Sequence, residues 1–183
     1  MPTLTTPAKK ILTVEDNAIV SADVRSILEA AGYDVCPDAR DGVQAIEHVR
    51  AYAPDLILLD LTLPRLDGVD AASRIREESD TPILVLTGSN DPDLLERAEA
   101  AGTSGLVQKP FSEHGLLSAV RRRLAERDAV DFGLRCLIES MIREGADEPS
   151  ILRAVRATKG SHESPERGEG GLRRLARFVS RKG

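Results

Sequence analysis

The chain has 183 residues, of which 41% are hydrophobic, 30% charged and only 3% aromatic, so it suits one domain with an aliphatic core and a small appendage. Its net charge of −5 is uneven, because residues 1–128 carry 14 Lys/Arg against 22 Asp/Glu and residues 129–183 carry 11 against 8. No run approaches the roughly 20 apolar residues that a membrane span needs. The charge distribution permits a nucleic-acid contact at the mildly basic tail, which lacks the dense basic stripe that would make one expected.

Two features predict a cytoplasmic protein. The N-terminal tail, residues 1–9, lacks the apolar stretch of a signal peptide. Cys36 and Cys136 lie far apart and have no CxxC or His-rich neighbours, so neither a disulfide nor a zinc site is indicated. We expect both to be ordinary buried thiols in a reducing compartment.

Residues 10–128 alternate short apolar runs with longer amphipathic ones, which is typical of a parallel α/β sheet. The runs that end at Leu59 and Leu86 are nearly continuous, as in strands that are buried on both faces. The five predicted strands are residues 11–14, 34–36, 56–59, 83–86 and 106–107.

Stretches with helical spacing follow each of these strands. The first has apolar residues at Ile19, Val24 and Leu28, and it ends at Gly32, in the position of a helix stop. The other four are predicted over residues 42–52, 69–78, 92–101 and 112–124. Five strands and five helices in alternation predict an α/β fold with a doubly wound parallel sheet.

Beyond residue 128 the strand signal stops, and residues 129–183 are predicted to form a small all-α extension. Helices are predicted over residues 130–143 and 148–157, with a short basic helix over 172–181. Residues 159–171 are polar and rich in glycine, which predicts a flexible segment.

Polar and charged side chains follow four of the predicted strands. Glu15 and Asp16 follow the first, Asp60 the third and Thr87 the fourth. Lys109 comes shortly after the fifth. Because the carboxyl ends of parallel strands share one rim, where the ligands of open α/β sheets bind, we expect these side chains to converge.

The residue types at this rim point to phosphate chemistry. Three carboxylates repel one another unless a cation lies among them, and their hard oxygen ligands suit Mg²⁺ or Mn²⁺. We therefore predict a metal site at Glu15, Asp16 and Asp60. Lys109 can hold one phosphoryl oxygen as a point charge, and the Thr87 hydroxyl can donate to another. A nucleophilic carboxylate, a metal ion and two donors are what in-line phosphoryl transfer needs.

Taken together, these residues resemble the receiver domains of two-component response regulators. Asp60 in LLDLTLPRLDG resembles the phosphoacceptor of that family. Glu15 and Asp16 resemble its metal-binding acidic pair. Thr87 in VLTG resembles its switch hydroxyl, and Lys109 in QKPF resembles its invariant lysine, which precedes a proline in a peptide that is usually cis.

The resemblance covers about residues 10–127 and implies the fold and function of the family. We expect a receiver domain over residues 10–128 with a flavodoxin-like sheet of strand order 2-1-3-4-5. A sensor histidine kinase or phosphotransfer protein would supply the phosphoryl group to Asp60 with Mg²⁺. The resulting shape change would be relayed to a downstream protein partner, and a homodimer could form on phosphorylation. No enzymatic activity is expected apart from Mg-dependent self-phosphorylation and autodephosphorylation.

Leu106 departs from the family pattern, which usually has Tyr or Phe at this position. Either a bulky aliphatic side chain transmits the change less sharply, or output depends on the loop around Thr87 and the following helix. The simplest interpretation is a core leucine without a signalling role. Thr62 and Ser89 are small and polar and would flank the path of an attacking water, which predicts a phospho-aspartate of intermediate lifetime.

The extension leaves three functions open. It could be a helical element that binds a protein partner, or the chain could be a phosphorelay intermediate that passes its phosphoryl group to a histidine protein. A nucleic-acid output is the third, because ILRAVRATKGS at residues 151–161 resembles the opening of a Fis-type DNA-binding helix-turn-helix. In addition, DGVDAAS and residues 91–109 resemble receivers that carry the RNA-binding module ANTAR. That output would make the chain a phosphorylation-controlled regulator of transcription or antitermination.

Overall fold

The computed structural model describes residues 7–159, and five strands in this part of the chain form one sheet. The strands are β1 (Lys10–Val14), β2 (Asp34–Val35), β3 (Leu56–Asp60), β4 (Ile83–Thr87) and β5 (Leu106–Gln108). All neighbouring strands are parallel, and their order is β2-β1-β3-β4-β5. The predicted α/β class, the doubly wound parallel sheet and the strand order 2-1-3-4-5 are confirmed.

A helix follows each strand, and a further helix comes after the fifth one. Those in the described residues are α1 (Ala18–Ala30), α2 (Gly42–Tyr52), α3 (Gly68–Glu78), α4 (Pro92–Ala100), α5 (Glu113–Arg143) and α6 (Glu148–Lys159). Helices α1 to α4 each begin at a short polar side chain that accepts hydrogen bonds from backbone N–H groups of the first turn. These capping residues are Asn17, Asp41, Asp67 and Asp91. The caps fix where the loops from the sheet rim enter the helices.

The central strand β3 is continuously apolar before Asp60 because helices cover both of its faces. Leu56 and Leu58 pack in a cluster with side chains of α1 and α5. Ile57 and Leu59 pack in a second cluster with side chains of α2 and α3. All four are fully buried, and burying one such side chain contributes roughly 1.5–3 kcal/mol. The strand is therefore fixed in the middle of the sheet, with Asp60 as its last residue.

Helix α5 is longer than the sequence analysis predicts. We expect two helices with a break between residues 124 and 130, but α5 is continuous through this region. The intervening residues include neither Pro nor Gly. Nε of Arg127 also lies 4.0 Å from Oδ2 of Asp131, and a pair of opposite charges four residues apart stabilises a helix. The helix ends shortly before Gly145, whose φ of 80° is a left-handed conformation that favours glycine.

The chain divides into two compact units, with the boundary between Glu126 and Arg127. The first unit contains the sheet, helices α1 to α4 and the first part of α5. In the second unit, Leu134 and Ile138 of α5 form a small apolar core with Val155 of α6. This pairing gives α6 a buried face in an otherwise polar segment.

The two cysteines differ in exposure. Cys36 is buried, whereas Cys136 is exposed on α5, so the expectation of two buried thiols is wrong for Cys136. Cys136 is two residues from both Leu134 and Ile138, which pack inward. Two positions along a helix correspond to a rotation of about 200°, so Cys136 lies on the opposite side.

Some of the features predicted from the sequence lie outside the described residues. These are most of the N-terminal tail (residues 1–6), the predicted flexible segment beyond residue 159, and the predicted basic helix over 172–181. Within residues 7–159, no helix is both long enough and apolar enough to cross a membrane.

Candidate functional site

Three carboxyl groups converge at the carboxyl ends of β1 and β3. Glu15 and Asp16 follow β1, and Asp60 is the last residue of β3. Each offers one carboxylate oxygen, and these oxygens lie within 4.8 Å of one another. Glu15 and Asp60 are buried, whereas Asp16 is exposed. The structure therefore brings together the three acidic residues singled out in the sequence, with solvent access on the Asp16 side.

Lys109 joins two of these carboxylates. Its Nζ donates to Oδ2 of Asp60 at 2.6 Å and also to Oε2 of Glu15. The backbone N–H of Lys109 donates to the carbonyl of Thr87 at 2.8 Å, and the Lys109–Pro110 peptide is cis, as the resemblance implies. The single positive charge of Lys109 can balance only one of the three carboxylates, so the cluster carries excess negative charge when all of them are ionised.

Burial and charge act in opposite directions on the pKa values of this cluster. Burial raises the pKa of the Glu15 carboxyl, the Lys109 ammonium lowers it and the charge of Asp60 raises it, with a raised pKa as the result. Burial lowers the pKa of the Lys109 ammonium, but the hydrogen bonds to Asp60 and Glu15 raise it by more, so its pKa is raised. Lys109 is therefore charged at neutral pH, and Glu15 takes up a proton more readily than an exposed glutamate.

The loop after β3 gives the Asp60 carboxylate a defined orientation. Oδ1 accepts a hydrogen bond from the backbone N–H of Thr62 at 2.9 Å, while Oδ2 accepts from Lys109. At the far end of the loop, the N–H of Gly68 donates to the carbonyl of Leu61 at 3.0 Å. Both carboxylate oxygens of Asp60 therefore have a specific partner, and the loop closes back onto the strand end.

Thr87 ends the neighbouring strand β4, with its side chain fully buried. Its Oγ1 accepts a hydrogen bond from the backbone N–H of Ser89 at 3.0 Å. Oγ of Ser89 in turn accepts from the N–H of Asp91 at 3.1 Å, and Asp91 is the cap of α4. Two hydrogen bonds thus link the Thr87 hydroxyl to the start of α4.

Leu106 is 44% exposed, so its interpretation as a core leucine is wrong. Strand β5 lies at the edge of the sheet and is three residues long, and its two outer residues, Leu106 and Gln108, are both exposed. The side-chain amide of Gln108 donates to Oδ1 of Asn90 in the loop after β4. A polar contact therefore ties this loop to β5, close to the position where the family usually has an aromatic ring.

Two supporting contacts at this site were not predicted from the sequence. The backbone N–H of Asn17 donates to Oε1 of Glu15 at 3.2 Å, and the Asn17 side chain caps α1. An Asn directly before a stretch of helical spacing predicts a helix N-cap, so this cap could have been found from the sequence. The second contact is the ion pair between Arg65 and Asp41. These residues are 24 positions apart on two loops, so no periodic pattern indicates their contact.

The donor set fits a hard divalent cation. All three groups present carboxylate oxygens, which are ligands that Mg²⁺ and Mn²⁺ prefer. Glu15 and Asp60 are buried with only one ammonium between them, so negative charge remains for a cation to compensate. The exposed Asp16 leaves a side from which an ion can enter.

Comparison with known proteins identifies the family. The sequence profile described as "Response regulator receiver domain" matches residues 11–121. The chain is 39% identical over 112 residues to "Transcriptional regulatory protein PdtaR" of Mycobacterium tuberculosis (strain CDC 1551 / Oshkosh), which covers 61% of this chain and 55% of PdtaR. It is 32% identical over 114 residues to "Chemotaxis protein CheY" of Halobacterium salinarum, which covers 62% of this chain and 94% of that protein. The chain belongs to the response regulator receiver domain family.

A solved structure shares this fold. The receiver domain of the sensor histidine kinase PA1611 from Pseudomonas aeruginosa PAO1 is 31% identical, with a TM-score of 0.60, over 64% of this chain and 98% of that one. It is described with a magnesium ion coordinated in its active site cleft. The chain spans about half the length of PdtaR, so the similarity to that relative concerns only part of it.

Proposed function

We propose that this chain is a response regulator of a two-component phosphorelay and that it accepts a phosphoryl group on Asp60. The observation that carries the proposal is the environment of the Asp60 carboxylate. One oxygen is held by the Thr62 N–H and the other by Lys109, and Glu15 and Asp16 lie beside it. A fixed orientation and nearby compensating charge are what a carboxylate nucleophile needs to attack an anionic phosphoryl group.

The transfer step is an in-line displacement at phosphorus. An oxygen of ionised Asp60 attacks the phosphoryl group of a donor phosphohistidine, and a P–O bond forms while the P–N bond breaks. The electron pair of the P–N bond goes to the histidine nitrogen, which takes up a proton from solvent. The product is an acyl phosphate on Asp60, and the Lys109 ammonium holds one of its phosphoryl oxygens.

Glu15, Asp16 and Asp60 would hold Mg²⁺, or Mn²⁺, in this reaction. When bound, the ion supplies positive charge that reduces repulsion between the carboxylate and the phosphoryl oxygens. The magnesium ion in the related receiver domain of PA1611 supports this proposal.

The Thr87 hydroxyl would relay the event by changing its partner. Unphosphorylated, it accepts a hydrogen bond from the Ser89 N–H. With a phosphoryl group on Asp60, the Thr87 side chain would turn so that its hydroxyl donates to a phosphoryl oxygen, and the hydrogen bond from the Ser89 N–H would be lost. Because Ser89 is hydrogen-bonded to Asp91 at the start of α4, this change moves the loop and the beginning of the helix.

Hydrolysis of the acyl phosphate returns the chain to its starting state. Water attacks phosphorus, the bond to Asp60 breaks, and inorganic phosphate leaves. Thr62 and Ser89, which flank the expected path of this water, carry no long side chain that would shield it or orient it. We therefore expect an intermediate half-life. A half-life of days, or of less than a second, would contradict this.

The partners follow from this chemistry. A sensor histidine kinase or phosphotransfer protein would donate the phosphoryl group to the receiver domain, residues 10–128. The downstream target would be a protein that recognises the phosphorylated form, with residues 129–183 as a helical extension for that interaction. A homodimer on phosphorylation is part of the same proposal.

A DNA- or RNA-binding output of the extension is the second candidate. It is supported by the name of PdtaR, a transcriptional regulatory protein, and by the Fis-like sequence that begins on α6. Phosphorylation-dependent binding of random DNA or hairpin RNA, with a salt dependence that implies several phosphate contacts, would favour this candidate. Absent or salt-insensitive binding would favour a protein partner.

The decisive experiment incubates the full chain with phosphoramidate and Mg²⁺ and follows intact mass and oligomeric state. The wild type should gain one phosphoryl group, and chelation of the metal with EDTA should prevent this. Asp60→Asn should gain none, whereas Asp23→Asn, at an exposed carboxyl on α1, should react like the wild type. If Asp60→Asn still gains a phosphoryl group at another site, the assignment of the acceptor is wrong.

A further inference from the structure

A second charged contact joins Asp41, at the start of α2, to Arg65, in the loop between β3 and α3 that follows Asp60. Asp41 is the N-cap of α2, and its side chain is only 3% exposed. Its Oδ1 accepts hydrogen bonds from the backbone N–H groups of Val43 at 2.9 Å and Gln44 at 3.0 Å. Its Oδ2 is paired with the guanidinium of Arg65. Both oxygens of a buried carboxylate are therefore occupied, one by a helix and one by a loop.

Arg65 reaches Asp41 from an uncommon backbone conformation. Its φ is 65°, in the left-handed region that residues with a long side chain rarely adopt. Such a conformation persists where surrounding contacts hold it. The next residue supplies one of these contacts, because the carbonyl of Leu66 accepts a hydrogen bond from the N–H of Gly42 at 3.2 Å. Side chain and backbone thus tie the same part of the loop to the start of α2.

The loop that carries Arg65 also contacts the phosphoacceptor. Thr62 lies in this loop and donates its backbone N–H to Oδ1 of Asp60, so a shift of the loop at Thr62 would change one of the contacts that orient the carboxylate. The far end of the loop is held at Gly68, whose N–H donates back to the strand end. Arg65 lies between these two points, and its pairing with Asp41 anchors the middle of the loop.

We propose that Arg65 is a positioning residue for phosphoryl transfer. Paired with Asp41, it holds the loop so that the Thr62 N–H keeps the Asp60 carboxylate in the orientation for attack. This inference rests on the proposed function of Asp60. Its effect is on the rate of the transfer step and not on the affinity for the phosphoryl donor, because Arg65 acts through the loop without touching the reacting atoms.

The test uses the full chain with phosphoramidate and Mg²⁺ and measures the maximal rate and the half-saturating donor concentration by intact mass. Arg65→Ala and Asp41→Asn should each lower the maximal rate about tenfold and leave the half-saturating concentration unchanged. Asn is itself a good N-cap, so Asp41→Asn removes the ion pair while keeping the cap of α2. Arg65→Lys keeps a positive charge for Asp41 and should recover part of the rate.

The double variant distinguishes the pair from two separate effects. If both residues act through one contact, Arg65→Ala combined with Asp41→Asn should be no slower than either single variant. Arg74→Ala removes an exposed arginine from α3 and is the matched control, with the wild-type rate as the expected result. Thermal unfolding of each variant checks that the rates come from folded protein, and Asp41→Asn and Arg65→Lys serve as readouts if Arg65→Ala does not fold.

Several outcomes would overturn the proposal. A wild-type maximal rate for Arg65→Ala would do so, as would fully multiplicative losses in the double variant. A raised half-saturating concentration with an unchanged maximal rate would mean that Arg65 contacts the donor anion directly, which also overturns it. If the wild type gains no phosphoryl group, or Asp60→Asn gains one, the proposed function fails first and this inference fails with it.

Discussion

A β-carbon placed on Gly68 would lie 2.2 Å from the backbone oxygen of Asp60. Gly68 begins α3 and Asp60 ends β3, so the first turn of the helix packs directly on the strand end that carries the reactive carboxylate. The same β-carbon would lie 2.6 Å from Cα of Leu61. These neighbours are backbone atoms and cannot rotate away, so the close approach of helix and strand requires glycine at position 68.

Gly68→Ala is therefore expected to lower the free energy of unfolding by about 1–3 kcal/mol, because the added methyl group must displace α3 or the loop before it. Urea unfolding followed by circular dichroism measures this change. Gly133→Ala is the matched control, since nothing lies within 4 Å of the added β-carbon. Alanine is a better helix former, so this control should be neutral or stabilising by up to about 1 kcal/mol. Equal losses in both variants would contradict the prediction.

The residues at the strand ends are the part of the site that the sequence predicts best. Hydrophobic runs locate β1, β3 and β4, and the rule that parallel strands share a carboxyl-end rim places Glu15, Asp60 and Thr87 at one edge without any knowledge of contacts. The contact of Arg65 with Asp41 could not be predicted in this way. It depends on the detailed path of two loops. Loop residues have no periodic hydrophobic pattern, and no general rule predicts from a single sequence which loop residues pair.

Element boundaries and exposure were harder to predict for a related reason. Between residues 124 and 130 the apolar spacing is interrupted but no helix-breaking residue occurs, so hydrophobic periodicity indicates two helices where the backbone forms one. Leu106 lies on a three-residue edge strand and is exposed, although its residue type favours the core. Periodicity describes which faces are apolar, whereas burial depends on which elements are present to cover them.

Mg²⁺ is expected to raise the thermal midpoint of unfolding of the wild type. An ion that binds the acidic cluster only in the folded state stabilises that state relative to the unfolded chain. At ten times the dissociation constant this amounts to about 1.4 kcal/mol. Asp16→Asn removes one carboxylate from the cluster and should reduce or abolish the shift. Asp23→Asn, at an exposed position on α1, should leave it unchanged. An equal shift in the wild type and in Asp16→Asn would argue against a metal site that includes Asp16.

The two cysteines should react at very different rates with a thiol reagent such as Ellman's reagent. Burial, followed by the nearby charge of Asp34, raises the pKa of the Cys36 thiol, so its thiolate is both scarce and shielded at neutral pH. Cys136 is exposed and should react more than about tenfold faster. Cys136→Ser should remove the fast phase and Cys36→Ser should retain it, while both thiols of the wild type should react quickly in urea. Two fast phases in the folded wild type would contradict the burial of Cys36.

Glu15→Gln should make the metal-free chain progressively more stable relative to the wild type as pH rises. Burial raises the pKa of Glu15 in the folded state above its value in the unfolded chain. The stability linked to this group is therefore fully present below the unfolded pKa and is lost as pH rises through the folded pKa. Glutamine cannot lose a proton and escapes this loss. Its one side-chain oxygen can accept from Lys109 or from the Asn17 N–H but not from both, which costs the same at every pH in the range measured. Urea unfolding in EDTA between about pH 4 and about pH 8 measures the difference. A difference that stays constant, or shrinks as pH rises, would mean that burial does not dominate the pKa of Glu15.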